Sequence, residues 1–255
     1  MLVASWNVNS LRVRLPHVQD WLVSAQPDVL GLQEIKLTDD KFPHAELEES
    51  GYMAVSNGQP TYNGVALLSR EAPADVSRDL PDFEDEQRRV IAATYGDTRV
   101  INLYVPNGQS VGSDKYAYKL DWLDQLTVYL ADELTRYPRM VVMGDFNIAP
   151  DDRDVHDPDE WRDKILCSGP ERERLQALEA LGFRDSFRLF EQPEATFSWW
   201  DYRAAAFRRK RGLRIDLLLV SSALAADCSA SGVDIEPRKL ERPSDHAPVY
   251  VRLSG

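Results

Sequence analysis

Residues 139–147 read Arg139-Met-Val-Val-Met-Gly144-Asp145-Phe146-Asn147, an apolar run that stops at a glycine and gives way to an acid and, one residue on, an amide. Short continuous apolar runs of this kind suit strands buried on both faces. Polar groups at the C-terminal end of such a strand lie where open α/β sheets bind ligands. The arrangement recurs along the chain. Leu2-Val-Ala-Ser-Trp6 ends at Asn7, Val29-Leu-Gly-Leu32 ends at Gln33-Glu34, and Val100-Ile-Asn-Leu103 ends at Tyr104. Arg214-Ile215 leads into Asp216 and the apolar Leu217–Val220, and Pro243-Ser244 brings in Asp245-His246 just before Pro248–Val251. The polar groups so presented are oxygen donors plus one imidazole.

The same pattern predicts strands at 2–8, 28–34, 52–56, 64–69, 89–95, 99–105, 139–146, 195–199, 214–220 and 248–253. Helices are predicted at 11–24, 115–134 and 170–181, with Leu120, Leu123, Leu126 and Leu130 at helical spacing in the second. Gly182 has the character of a C-cap for the third. Residues Gly58 to Tyr62 predict a hairpin turn, and the acidic, proline-bearing stretch 150–163 predicts a loop. No linker-like segment, repeat or low-complexity tract interrupts the 255 residues, so one domain over 1–255 is expected. Strands outnumber helices, which suits two packed sheets with helices outside.

Composition narrows the partners. At 43% apolar and 28% charged the chain has the make-up of an ordinary globular protein. No apolar run approaches the ~18 residues of a membrane-spanning helix. The N-terminus enters a strand directly, without a basic n-region, which points to the cytoplasm. Cys167 and Cys228 lack metal-type spacing and fit free thiols in a reducing compartment. The net charge of −12 argues, on its face, against nucleic acid. Binding follows local potential, however, and a bound divalent cation offsets a pocket's own acids. One stretch is strongly basic: Arg203, then Phe207-Arg208-Arg209-Lys210-Arg211-Gly212-Leu213-Arg214. Its place between an aromatic cluster and Asp216 favours phosphate contact over the alternative of a solvated loop.

Phosphodiester hydrolysis needs an activated water, neutralisation of the transition state and a stabilised leaving oxygen. A divalent ion serves the last two. Mg²⁺ takes oxygen donors and keeps several waters, so Asn7, Glu34 and Asp245 suffice as ligands. Asp145 and Asn147, at i and i+2 of a strand, point the same way and fit the holding and deprotonation of water. His246, kept charged by Asp216, fits a donor to phosphate. Tyr104 fits a second donor. Each residue alone is more simply a cap, a turn former or a core group; the weight lies in their joint occurrence, each beside an apolar strand. His17, His44 and His156 stand isolated. The aromatic run Phe197-Ser-Trp199-Trp200-Asp-Tyr202 is either core or a set of stacking faces.

The segments Trp6–Ser10, Leu32–Lys36, Tyr104–Gly108, Gly144–Asn147, Ser198–Arg203, Gly212–Asp216 and Pro243–Pro248 together resemble the motif series of the exonuclease III family. These are apurinic/apyrimidinic (AP) endonucleases with 3′→5′ exonuclease activity, within the DNase I-like endonuclease/exonuclease/phosphatase superfamily. The resemblance covers essentially the whole chain. It implies a four-layer α/β sandwich of two mixed sheets flanked by helices, with one site at their common edge. It implies Mg²⁺, with Mn²⁺ as substitute. By motif match Glu34 is the principal metal ligand, with Asn7, Asp145, Asn147, Asp245 and His246 around the ion. Asp145 is the acid/base group, helped by Asn147; Tyr104 is the active-site tyrosine; His246 contacts the scissile phosphate and pairs with Asp216. Lys36 and Asn107 match DNA-contacting positions, Arg211 of the basic run joins them as an expected DNA contact, and Trp199, Leu213 and Ile215 match the apolar pocket for an extruded abasic sugar. The partner implied is double-stranded DNA with abasic sites or 3′ ends, cut by a cytoplasmic monomer without a membrane.

Two features depart from the better-known pattern. Residues 106–109 read Pro-Asn-Gly-Gln, and the loop at 150–169 is shortened. Both fall where the family meets DNA around the lesion, so they bear on the balance of exonuclease and AP-endonuclease activity. Two other readings remain open at this point. A phosphatase of the same superfamily acting on inositol phosphates or lipids keeps the acids and His246 but leaves the tryptophan motif and basic loop unexplained. A catalytically silent binder of damaged DNA leaves the acid/base set unexplained.

Overall fold

The computed structural model describes residues 1–254. Twelve strands, β1–β12 in chain order, form two six-stranded sheets. The first contains β1 (Leu2–Asn7), β2 (Val29–Gln33), β3 (Met53–Asn57), β4 (Val65–Ser69), β11 (Cys228–Val233) and β12 (Val249–Leu253), ordered β11-β12-β1-β2-β4-β3. The second contains β5 (Ala74–Arg78), β6 (Val90–Tyr95), β7 (Thr98–Tyr104), β8 (Met140–Asp145), β9 (Arg184–Asp185) and β10 (Asp216–Val220), ordered β5-β6-β7-β8-β10-β9. Each sheet has one parallel pair, β1–β2 and β7–β8; the other pairs are antiparallel. A parallel pair needs a crossover. Helix α1 (Leu11–Ala25) makes the first and, after the short α2 (His44–Glu49), α3 (Asp114–Arg136) makes the second.

Strand alternation sorts the residues into layers. Val3, Val29, Val65 and Leu67 of the first sheet meet Val100, Val141, Met143, Leu218 and Val220 of the second in an inter-sheet core. The opposite parity faces outward. Ala4, Trp6, Leu30 and Leu32 pack under α1 and α2 with Val18, Trp21, Leu22 and Leu47. Ile101, Leu103, Val142, Leu217 and Leu219 pack under α3, with Trp122, Leu126 and Leu130, and under α5 (Gly169–Ala180), with Leu175 and Leu178; α4 (Pro158–Trp161) precedes α5. The result is the expected four-layer α/β sandwich of two mixed sheets flanked by helices.

The sheets approach closely at Gly31. A Cβ there would come within 2.6 Å of Met143 and 2.8 Å of Asn102. Asn102, fully buried, crosses the gap: it donates to the carbonyls of Leu32 (2.9 Å) and Ala66 (2.8 Å) and accepts from Gln33 (2.6 Å). Buried amides must be satisfied, so this bridge fixes the relative position of the sheets.

Several expectations change. Residues 195–199 form no strand; Trp199 makes only isolated bridges to Leu213 and His246, because the segment crosses the strand ends instead of joining a sheet. The strand expected at 214–220 starts at Asp216, since Arg214 turns inward to Asp154 and Asp185. The strands β5, β9 and β11 were not expected. They lie at sheet edges, β9 is two residues long, and β11 reads Cys-Ser-Ala-Ser-Gly-Val with no apolar alternation. The hairpin turn after β3 and the helix stop at Gly182 (φ 107°) follow the sequence pattern. No helix among the described residues is long and apolar enough to cross a membrane.

Candidate active site

Inward parity brings the strand-end polar groups together. On β1, Val3, Ser5 and Asn7 share the inner face; on β7, Val100, Asn102 and Tyr104; on β8, Val141, Met143 and Asp145. Strand β10 runs antiparallel to β8 with Asp216 opposite Asp145, so its first residue reaches the same edge. His246 arrives on the loop entering β12, which is antiparallel to β1. The sharp exit of β8 depends on Gly144 (φ 148°), where a Cβ would lie 1.9 Å from the Leu103 carbonyl oxygen.

Glu34, Asp145 and His246 offer ligand-type atoms that all lie within 4.8 Å of one another. The amide nitrogen of Asn7 donates to Glu34 Oε1 and to Asp145 Oδ2, both at 2.9 Å. Asn7 therefore bridges the two carboxylates in this orientation, and its oxygen accepts from Asn9 N–H instead of facing them. Lys36 lies 3.0 Å from the other Glu34 oxygen and donates to Asn9 Oδ1 at 2.6 Å. Asp245 sits apart from the three clustered groups, its oxygens taken by Asn9 Nδ2 (3.0 Å) and Trp199 Nε1 (3.1 Å).

His246 Nδ1 lies 2.8 Å from Asp216 Oδ2, and its Nε2 lies 3.6 Å from Asp145 Oδ2. Burial alone would lower the imidazole pKa; the carboxylates of Asp216 and Asp145 outweigh it and push it up to about 10. With Nδ1 held by Asp216, His246 turns its Nε2 toward Asp145 and the cleft. Asp145 is pushed up to about 7, by burial first and then by Asp216, against the opposing charge of His246. Burial, then Glu34 and Asp145, hold the Tyr104 phenol well above its ordinary value, so it stays protonated.

Asn147 (φ 50°) lies beyond the end of β8, so the i, i+2 alternation does not reach it. Its N–H bonds Asp145 Oδ1 (2.9 Å), its amide nitrogen donates to the Val105 carbonyl (3.0 Å), and its oxygen accepts from Asn107 (3.1 Å). It splices the 104–108 and 145–148 loops together. Leu213 and Ile215 are fully buried in a small cluster with Ala149, Val155, Leu166 and Cys167, against which Trp199 and Trp161 pack. Arg211 donates to His156 (3.2 Å) and pairs with Glu160. Arg208, Arg209 and Lys210 project into solvent, whereas Arg214 is structural, buried between Asp154 and Asp185 and stacked over Phe187.

Three supporting residues carried no assigned role in the sequence, although Ser198 and Ser244 fall within its motifs. Ser198 donates to Asp216 Oδ2 (2.6 Å) and accepts from the Ile215 and Asp216 N–H groups. Ser244 donates to the Asn7 carbonyl (2.6 Å). Lys119 is wholly buried, pairs with Glu171, and donates to the carbonyls of Asn147 (2.7 Å) and Asn107 (3.2 Å). Its signal was available: a lysine between Tyr116 and Leu123 falls on the apolar face of α3.

Comparison with known proteins identifies the family. The model of the endonuclease/exonuclease/phosphatase family matches residues 4–246. The chain belongs to this family. Within it, the chain is 40% identical over 267 aligned residues to exodeoxyribonuclease III of Haemophilus influenzae, covering 99% of this chain and 100% of that one. That places it in the exonuclease III branch. A 3′ phosphatase from Neisseria, solved with a product DNA hairpin, superposes with a TM-score of 0.98 at 51% identity, and an AP endonuclease from Archaeoglobus fulgidus with 0.96 at 38%; both comparisons cover 100% of each chain. The family's nucleases are metal-dependent, and Glu34 with Asp145 supplies a fitting pair of hard oxygen donors.

Proposed function

We propose that this chain is a Mg²⁺-dependent DNA-repair phosphodiesterase. It trims 3′ ends of duplex DNA and cleaves the phosphodiester 5′ to an abasic site, acting as a cytoplasmic monomer. The observation that carries the reading is the cluster of half-buried Glu34 with buried Asp145 and His246, Asp216 behind them, set at the common edge of two sheets. A phosphatase acting on inositol phosphates or lipids would need the same acids, but nothing in it calls for the aromatic segment 197–202. The likeness to the Neisseria 3′ phosphatase supports including 3′-phosphate removal among the reactions.

Glu34 and Asp145 would hold the cation, with water completing its shell. When bound, Mg²⁺ neutralises charge on the phosphate and stabilises the leaving oxygen. Asp145, oriented by the Asn147 N–H, accepts a proton from the attacking water. His246, protonated and oriented by Asp216, donates to a non-bridging phosphate oxygen as negative charge grows there. Tyr104 offers a second donor from the opposite sheet. Lys36 and Asn107 flank the site at the positions proposed for DNA contact. Trp199, above Leu213 and Ile215, forms the apolar wall proposed to accept an abasic sugar, which is easier to extrude than a paired nucleotide.

The test is incubation of the protein with a labelled duplex holding one abasic analogue, beside a duplex with a recessed 3′ end, in Mg²⁺ and in EDTA. Both substrates should be cut in Mg²⁺ and neither in EDTA, and Glu34→Gln should lose activity without unfolding. Full activity in EDTA would remove the metal from the mechanism.

A further inference from the structure

Four buried arginine Nε atoms lack a hydrogen-bond partner: those of Arg89, Arg139, Arg188 and Arg238. In the first three, other bonds or ion pairs anchor the guanidinium. Arg89 bonds Gln87 and the Tyr104 carbonyl, Arg139 pairs with Asp97 and Asp227, and Arg188 pairs with Asp154. Among the described residues, Arg238 is bonded at no guanidinium nitrogen and has no carboxylate within 4 Å, although only 7% of it is exposed. Its partners are rings. The guanidinium carbon lies 4.8 Å from the Phe207 centroid and 5.8 Å from those of Trp200 and Tyr202. Ring faces hold the cation in place and bury its Nε without a partner, while its two terminal nitrogens reach the surface with no protein acceptor. A largely buried charge whose outward donors have no protein partner is set to receive an anion.

The surroundings point to an anion. Tyr202, exposed, also accepts from Arg14 at 3.1 Å. Arg14 gives three more donors to the carbonyls of Asn9, Arg242 and Pro243, which leaves one Nη1 hydrogen without a partner, and it likewise has no carboxylate partner. The nearby acids Asp201 and Glu241 form no ion pair with either arginine. This is unusual in a chain with 42 acids and 30 bases. The cluster adjoins the catalytic group through Tyr202, Asn9 and Asp245.

We propose that Arg14 and Arg238, which meet at Tyr202, bind a non-scissile backbone phosphate of the DNA duplex next to the catalytic group. This rests on the reading of the chain as a DNA phosphodiesterase. The aromatic cage fixes the plane of Arg238 and leaves its donor fork for phosphate oxygens, the geometry in which arginine exceeds lysine. The contact positions the duplex and takes no part in bond breaking.

The test uses a duplex made uncleavable by a phosphorothioate at the scissile linkage, with affinity measured across a salt series. Arg238→Gln and Arg14→Gln should each weaken binding about ten-fold or more at low salt. Each should lower the salt slope, by up to about 0.9, the value for one lost phosphate. Arg238→Lys should keep the slope. Single neutral methylphosphonates walked outward from the scissile linkage should find one position that weakens wild-type binding and no longer matters in Arg238→Gln. Should Arg238→Gln fail to fold, Arg14→Gln against the same walk decides. Unchanged slopes in the folded variants, or losses that add at every linkage, would overturn the proposal. So would inorganic phosphate that displaces the duplex beyond an ionic-strength control, which would mark a site for free anion. Cleavage of the ordinary duplex by the wild type is read in parallel: its absence would sink the DNA reading itself, and its presence with unchanged slopes only this site.

Discussion

Removing the charge behind His246 is the sharpest test of the catalytic geometry. Asp216→Asn keeps the volume and leaves an oxygen to accept from Nδ1, but takes away the carboxylate 2.8 Å from it. Two unit charges about 4 Å apart at an effective dielectric of about 20 interact by about 4 kcal/mol. At 1.36 kcal/mol per pKa unit that is about 3 units. His246, held up to about 10 in the wild type, should therefore titrate 2–3 units lower, at about 7–8, with Asp145 still 3.6 Å from Nε2. The variant should retain substantial activity at pH 6 and lose it through neutrality, as the imidazolium donor is lost, while the wild type holds its rate to a higher pH. The stability consequence has a definite sign. The folded pKa lies above the unfolded value of about 6.5, so the ion pair's contribution is full below pH 6.5 and fades as pH rises through about 10. Asp216→Asn should flatten that decline. Ring-proton NMR of the metal-free protein, urea melts at several pH values and pH–rate profiles on the abasic duplex measure all three. Parallel profiles for variant and wild type between pH 6 and 9, or a wild-type His246 titrating near 6.5, would refute the reasoning.

Three further outcomes are expected. Lys119→Met should cost about 3–5 kcal/mol in urea unfolding, because Glu171 is left as an unpaired buried charge; adding Glu171→Gln should restore part of it, and additive losses would contradict the coupling. Trp199→Ala should reduce cleavage at abasic sites more than trimming of 3′ ends, at any salt concentration. A melting loss equivalent to about 3–5 kcal/mol with unchanged preference for abasic duplex would make Trp199 plain packing. Gly144→Ala should abolish soluble protein or lower the melting temperature severely, since the new Cβ meets the Leu103 carbonyl oxygen at 1.9 Å; a wild-type melt would show that the exit of β8 relaxes.

Apolar runs ending in Asn7, Glu34, Tyr104 and Asp145 made the central strands and the site legible in the one-dimensional chain. A strand buried on both faces must be apolar throughout, so polar groups collect at its ends, and period-2 alternation then sends Asn7, Tyr104, Asp145 and Asp216 to one cleft. The edge strands β5 and β11 were illegible because one-sided, partly exposed pairing imposes no such pattern. The roles within the site were likewise beyond local sequence. Whether Asn7 offers oxygen or nitrogen, whether His246 is a donor or a ligand, and that Asn147 splices loops are matters of orientation set by neighbours up to 240 residues away in the chain, such as the pairing of Trp6 with the His246 carbonyl. The basic run shows the same division. Sequence marked Arg203–Arg214 as one cationic segment, but tertiary packing sent Arg214 into the core, tied Arg211 to Glu160, and left the unpaired buried cation at Arg238, a position without any local signal. Charge can be counted along a chain; which charges find partners depends on what the fold sets beside them.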